Sequence, residues 1–167
     1  MFIPYLGGII LLIIDGVTKV LANSLLPFKS TVETFLPFLD WYRTHNTGFH
    51  WIIGKINNHI LWASTGLIVV LFLLFMISRS LLKERDIRFN RIFYSIIICL
   101  IIGAMGNVLE IIVFGRATDF FVFHPFPWPS NISDQYINAI IYIMMPVIVV
   151  KSIMEWIHSK KTADSGE

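Results

Sequence analysis

The chain has 167 residues, 56% of them hydrophobic and only 14% charged, with a mean hydropathy of +0.72. Soluble domains carry about a quarter charged residues, so a chain this poor in polar surface is solvated by lipid rather than water. A net charge of +2, without any basic stripe interleaved with aromatics, excludes a nucleic-acid partner. The length predicts one membrane-embedded domain over residues 1–167.

A membrane-crossing helix needs about 20 mostly apolar residues. Four stretches meet this: residues 4–26, 60–78, 92–114 and 136–157. The first lacks a basic start, and Asp15 and Lys19 interrupt it, so it reads as a retained transmembrane helix and not as a cleaved leader. Asp15 and Lys19 stand four residues apart on one helix face, where an ion pair neutralises both. Residues 27–59 contain Thr31, Val32, Thr34, Phe35, Trp41 and Tyr42, a composition that predicts a small surface sheet. The second stretch is the most apolar, with no polar side chain from Leu67 to Ile77. Arg79, Lys83, Arg85, Arg88 and Arg91 crowd the connection to the third. By the excess of Lys and Arg on cytoplasmic loops, that connection and both termini are predicted inside. The third stretch holds Gly103, Gly106 and Asn107, which suit close helix packing and a hydrogen bond across it. Glu110 at that depth requires either a proton or a donor. Residues 120–129, rich in aromatics and prolines, read as an interfacial loop.

Asp119 and Asp134 bracket that loop and are predicted at the extracytoplasmic surface. Two carboxylates in one partly desolvated site cannot both ionise easily, so one keeps a proton while the other acts as a base. That is the chemistry of an aspartyl peptidase, and it needs neither a metal nor a cofactor. Cys99 is the only cysteine, and His45, His50, His59 and His124 lack a recognised ligand spacing, so no metal site is expected. The sequon Asn131-Ile132-Ser133 overlaps the predicted site and is not expected to be glycosylated.

Four short motifs join these observations: Asp15-Gly16-Val17-Thr18-Lys19, Asn46-Thr47-Gly48-Phe49, Gly106-Asn107 through Glu110 to Ala117-Thr118-Asp119-Phe120, and Asn131-Ile132-Ser133-Asp134. In that order, on four predicted helices, the chain resembles the lipoprotein signal peptidases, or type II signal peptidases. The resemblance implies an all-α membrane protein with a small extracytoplasmic β element, in a bacterial cytoplasmic (inner) membrane. It implies Asp119 and Asp134 as the catalytic pair, and Asn46, Gly48, Asn107 and Asn131 lining or supporting the site. Asp15 and Lys19 are expected to support it structurally. The implied substrates are prolipoproteins cut before a diacylglyceryl-modified cysteine, in contact with membrane lipids. The sequence departs from the family's usual pattern at three places. Gly16 stands where Gln is usual, Ile111 where an Arg follows the acid, and Phe49-His50-Trp51 where small residues are preferred. Arg116 is the candidate to supply the missing cation and brace Glu110. The rival readings are an inactive relative that binds lipid-modified segments, or a small transport subunit. A transporter places ionisable groups near the midplane with a path to both sides, and only Asp15, Lys19 and Glu110 qualify.

Overall fold

The computed structural model describes residues 2–46, 59–83, 88–126 and 128–164. Helix α1 (Ile3–Leu25) carries Pro4 in its first turn, where a missing N–H costs nothing, and ends where Leu26 turns extended. Strands β1 (Thr31–Glu33) and β2 (Leu39–Asn46) follow, then α2 (His59–Lys83) and α3 (Arg88–Phe114). The chain returns through β3 (Ala117–Phe123) and β4 (Pro129–Ser130) into α4 (Ile132–Ala139). A wide π turn over Ile140–Met144 leads on into α5 (Met145–Asp164). Pro146 has no N–H for the carbonyl four residues back, and the wide turn sits where that bond is lost.

Four helical segments are long and apolar enough to cross a bilayer: Ile3–Leu25, Ile60–Arg79, Asn90–Phe114 and Ile132–Met154. They match the four predicted stretches, with one informative difference. The last helix begins at Ile132 and not near Tyr136, because Asn131 caps it and Asp134 sits inside its first turn. Hydropathy misses such polar first turns, since capping residues are hydrophilic by necessity.

Helix α3 is the centre of the bundle, and α1, α2 and α4 each pack against it. Small residues allow the closest approaches. A β-carbon added at Gly103 would fall 2.6 Å from the Tyr136 ring, and one at Gly106 would strike the Asp15 carboxylate and come 2.5 Å from Ser133 Oγ. The outer faces of α1, α2 and the last helix are lined by exposed residues such as Ile13, Phe72 and Val150, which suits contact with lipid chains.

The sheet is larger than the sequence suggests. It has four strands in the order β1-β2-β3-β4, all antiparallel, so two strands come from the segment read as an interfacial loop. Ala117 to Phe123 is in fact β-branched and aromatic throughout its second half, a strand composition, and its pairing with β2 supplies the backbone partners that an isolated loop lacks. Ala22, Phe120 and Phe121 form the packed junction between sheet and helices, joined by Leu26, Leu39, Phe123 and Ile132.

Candidate active site

Strand β3 runs directly off the end of α3, with Gly115 at positive φ making the turn between them. A left-handed residue there is cheap only for glycine. The turn brings Thr118 back alongside Glu110, whose carboxylate accepts from the Thr118 N–H at 3.0 Å and from its hydroxyl at 2.7 Å. Asp119 is therefore held on a strand clamped to its preceding helix. It pairs in register with Thr44 of β2, and it is 3% exposed.

Asp134 arrives from the other side, in the first turn of α4. Asn131 and Asp134 form a reciprocal cap: the Asp134 N–H donates to Asn131 Oδ1 at 3.1 Å, and the Asn131 N–H donates to Asp134 Oδ2 at 3.0 Å. The amide of the same Asn131, fully buried, donates to Asp119 Oδ1 at 2.6 Å and to the Thr118 carbonyl at 3.2 Å. One asparagine thus links both carboxylates.

Behind them lies a second set of charges. Lys19 pairs with Asp15 at 2.8 Å and with Glu110 at 3.0 Å, and donates to Asn107 Oδ1 at 2.5 Å. Asn107 Nδ2 then donates to Asp134 Oδ1 at 2.7 Å. Asp15 Oδ1 accepts the Ser133 N–H at 2.9 Å, capping the start of α4 from α1, while Ser133 Oγ donates to the Gly103 carbonyl at 3.0 Å. Free N–H groups at a helix start favour a negative partner, and Asp15 supplies one.

The Asp119 carboxyl is pushed up to about 7, first by burial and then by the neighbouring Asp134 charge; hydrogen bonds from Asn46 and Asn131 and the Lys19 charge oppose this. His45 at the rim is held below its ordinary value, mainly by burial and then by Arg116 and Arg43.

The predicted site residues separate clearly. Asp119, Asp134, Asn46, Asn107, Asn131, Asp15 and Lys19 join one connected network; Gly48 lies outside the described residues. Arg116 is exposed on the rim of a groove of about 490 Å³ between α1 and α3. The cation on Glu110 is Lys19, and among the described residues Arg116 makes no ion pair. The bracing expected of Arg116 is a role that Lys19 fills on Glu110, reaching it from α1. Ile111, in place of the usual Arg, is buried with Ala63 and Ala117 between α2, α3 and β3. A Cβ at Gly16 would meet nothing within 4 Å, so that departure leaves open space in the same groove. Sequence reasoning missed Thr118 as the Glu110 clamp and Ser133 as the Asp15 partner. Both sit in quoted motifs, and a buried hydroxyl beside an acid was the available signal.

Two carboxylates held on one buried asparagine at the end of four apolar helices are an arrangement suited to aspartic-peptidase chemistry. Residues 8–150 match the sequence profile of a family described as Signal peptidase (SPase) II. The lipoprotein signal peptidase of Sinorhizobium fredii (strain NBRC 101917 / NGR234) is 32% identical over 138 residues, covering 78% of this chain and 76% of that protein. That of Coxiella burnetii (strain Dugway 5J108-111) is 29% identical over 145 residues, 83% and 84% of the two chains. A solved bacterial membrane enzyme, determined in meso at 2.3 Å, superposes with a TM-score of 0.70 at 21% identity, over 90% of this chain and 88% of that one. The chain belongs to the signal peptidase II family, aspartic endopeptidases that remove signal peptides from lipoproteins. It is a multi-pass protein of the bacterial inner membrane.

Proposed function

We propose that Asp119 and Asp134 are the catalytic dyad, acting at the extracytoplasmic surface on the bond before a diacylglyceryl-modified cysteine of a prolipoprotein. The observation that carries this is their meeting on a single buried asparagine, with no cation bonded directly to either carboxylate among the described residues. An ionised carboxylate takes a proton from water as the oxygen attacks the scissile carbonyl. Its protonated partner hands a proton to the carbonyl oxygen, giving a tetrahedral diol. The C–N bond then breaks as the first carboxyl returns its proton to the leaving nitrogen and the second recovers the diol proton. Water supplies both new bonds, so no metal or cofactor enters the balance.

Asn131 and Asn107 orient the pair, and Asn46 adds a hydrogen bond to Asp119 from β2. Gly48 and Arg116 belong, in this reading, to the substrate-facing rim. A lipid-anchored substrate presents its scissile bond at the membrane surface, which suits a dyad at the junction of bundle and sheet. The orientation follows from the basic connection between α2 and α3, with both termini cytoplasmic.

Asp119→Asn and Asp134→Asn keep shape but can neither act as a base nor donate a carboxylic proton. Each should lower cleavage of a diacylglyceryl-modified precursor by about 10³-fold or more, measured in detergent or lipid with folding checked separately. Near-normal turnover in either variant sinks the dyad. For the orientation, a reporter fused after Arg85 should read cytoplasmic and one near Asp40 extracytoplasmic; the same reading from both sites would overturn it.

A further inference from the structure

Resting on the dyad reading above, we propose that Lys19 and Asn107 are positioning residues that hold Asp134 as the ionised carboxylate and so leave the shared proton on Asp119. The argument begins with donor and acceptor counts. An ammonium has three N–H donors and no acceptor. Lys19 meets three acceptors: Asp15 Oδ2 at 2.8 Å, Glu110 Oε2 at 3.0 Å and Asn107 Oδ1 at 2.5 Å. A side-chain amide is ordinarily free to face either way, but here one end is committed. With its oxygen on a buried cation, Asn107 must present its NH₂ to the other side, and Nδ2 donates to Asp134 Oδ1 at 2.7 Å. Turning the amide over would set NH₂ against the ammonium and a carbonyl oxygen against a carboxylate, two repulsions in a low-dielectric site.

The second Asp134 oxygen is also committed, accepting the Asn131 N–H at 3.0 Å. Both partners are donors at the atoms they present. Hydrogen bonds to the charged form favour that form, so two fixed donors, one polarised by a lysine, stabilise Asp134 as carboxylate. Among the described hydrogen bonds, Asp119 has no comparable link. Its bonds come from the amides of Asn131 and Asn46, and no cation stands behind Asn131 among its described hydrogen bonds. The burial of Asp119 and the adjacent Asp134 charge act in the same direction, holding its proton to about pH 7. The titratable and charged groups around the pair are Asp15 and Lys19 on α1, Glu110 on α3, His45 on β2, and Arg116 in the turn before β3. Asp15 and Glu110 are each bonded to Lys19, and among the described residues the only hydrogen-bonded route from a cation to the dyad runs through Asn107 to Asp134.

The roles follow. Asp134 takes the proton of the attacking water, and Asp119 protonates the carbonyl oxygen. Lys19 acts in this assignment by fixing an amide.

The test is the pH dependence of kcat/KM on a diacylglyceryl-modified precursor. The wild-type profile should be a bell, its acid limb set by Asp134 and its alkaline limb by Asp119 near pH 7. Asn107→Leu removes the donor without changing charge. The acid limb should move up by about one pH unit, while the alkaline limb stays in place or rises, because Asp134 is ionised on both sides of that step. Asn107→Asp keeps the shape and the acceptor for Lys19, and should also raise the acid limb. Lower turnover with both limbs unmoved in both variants would mean that Asn107 merely supports the fold, and the inference would be wrong. An independent readout needs no active variant. A protonated-carboxyl infrared band titrating near pH 7 should be present in the wild type and absent from Asp119→Asn; a band that persists there and disappears in Asp134→Asn would overturn the assignment. Cleavage by either dyad variant is a separate failure, which removes the dyad itself.

Discussion

Two pairs of buried or half-buried acids lie within one small region of this protein, and they are put to opposite uses. Asp15 and Glu110 share Lys19, at 2.8 and 3.0 Å, and each also accepts a backbone N–H, from Ser133 and Thr118. Among the described residues, Asp119 and Asp134 are held by side-chain amides and a backbone N–H. The first pair is bound to a cation where it stands and fastens α4 and β3 to α1 and α3. The second is held in shape but left short of positive charge, so its affinity for a proton stays open to the neighbouring charge. A buried carboxylate becomes useful for acid–base chemistry when its geometry is fixed by groups that do not cancel its charge. Lys19 serves both pairs, directly in one and through Asn107 in the other.

Removing the cation breaks the comparison most severely. Lys19→Met leaves Asp15 and Glu110 without their cation, and losing one member of a buried ion pair typically costs about 3–5 kcal/mol. The variant should melt well below the wild type in the same detergent, with cleavage lost alongside. An unchanged melting point would show that the two carboxylates do not depend on Lys19.

The dyad should respond in the opposite sense. Because burial and Asp134 raise the Asp119 carboxyl to about 7, ionising it in the folded state works against folding. Its contribution is fully favourable below the ordinary carboxylate range and is lost as pH rises through about 7. Asp119→Asn should therefore be as stable as the wild type at pH 4 and gain on it up to pH 8, by no more than about 4 kcal/mol. An enzyme that is inactive but more resistant to unfolding at high pH is the expected signature. A stability difference that stays flat across this range would remove the contrast between the two pairs.

The same contrast marks what was legible in the sequence. Four helices were readable because lipid demands long apolar runs, and Ile13, Phe72 and Val150 on the outer faces need no partner beyond it. Asp15 and Lys19 were readable as a pair because four residues on a helix bring side chains together. Glu110 was recognised as needing a donor, yet its donors come from Lys19, which is 91 positions away, and from Thr118, which reaches it only through the turn at Gly115. No local pattern encodes such meetings. The sheet was half legible for a related reason: β1 and β2 showed a strand composition, while β3 was masked by the aromatic and proline-rich run that follows it. The fourth helix was placed late because its first turn, Ile132 to Gln135, is polar where it caps and binds.

The smallest effect belongs to Arg116. The departure at Ile111 invites the idea that a cation lost from α3 is replaced by the next one along the chain. The geometry gives a different account. Ile111 is buried against Ala63 and Ala117, where a guanidinium would lack water, and Glu110 already has Lys19 and Thr118. Arg116 stands exposed at the groove rim, so truncating it removes a solvated charge, and exposed charges contribute at most about 1 kcal/mol. Arg116→Ala should accordingly leave the melting point unchanged and lower kcat/KM by no more than about fivefold, seen in KM if the rim meets the substrate. His45 should then titrate slightly higher, since one of the charges that depress it is gone. A loss of cleavage comparable to that of Asp119→Asn would mean that Arg116 reaches the dyad during turnover. The division between a cation-bound pair and a reactive one would then have to include a second cation.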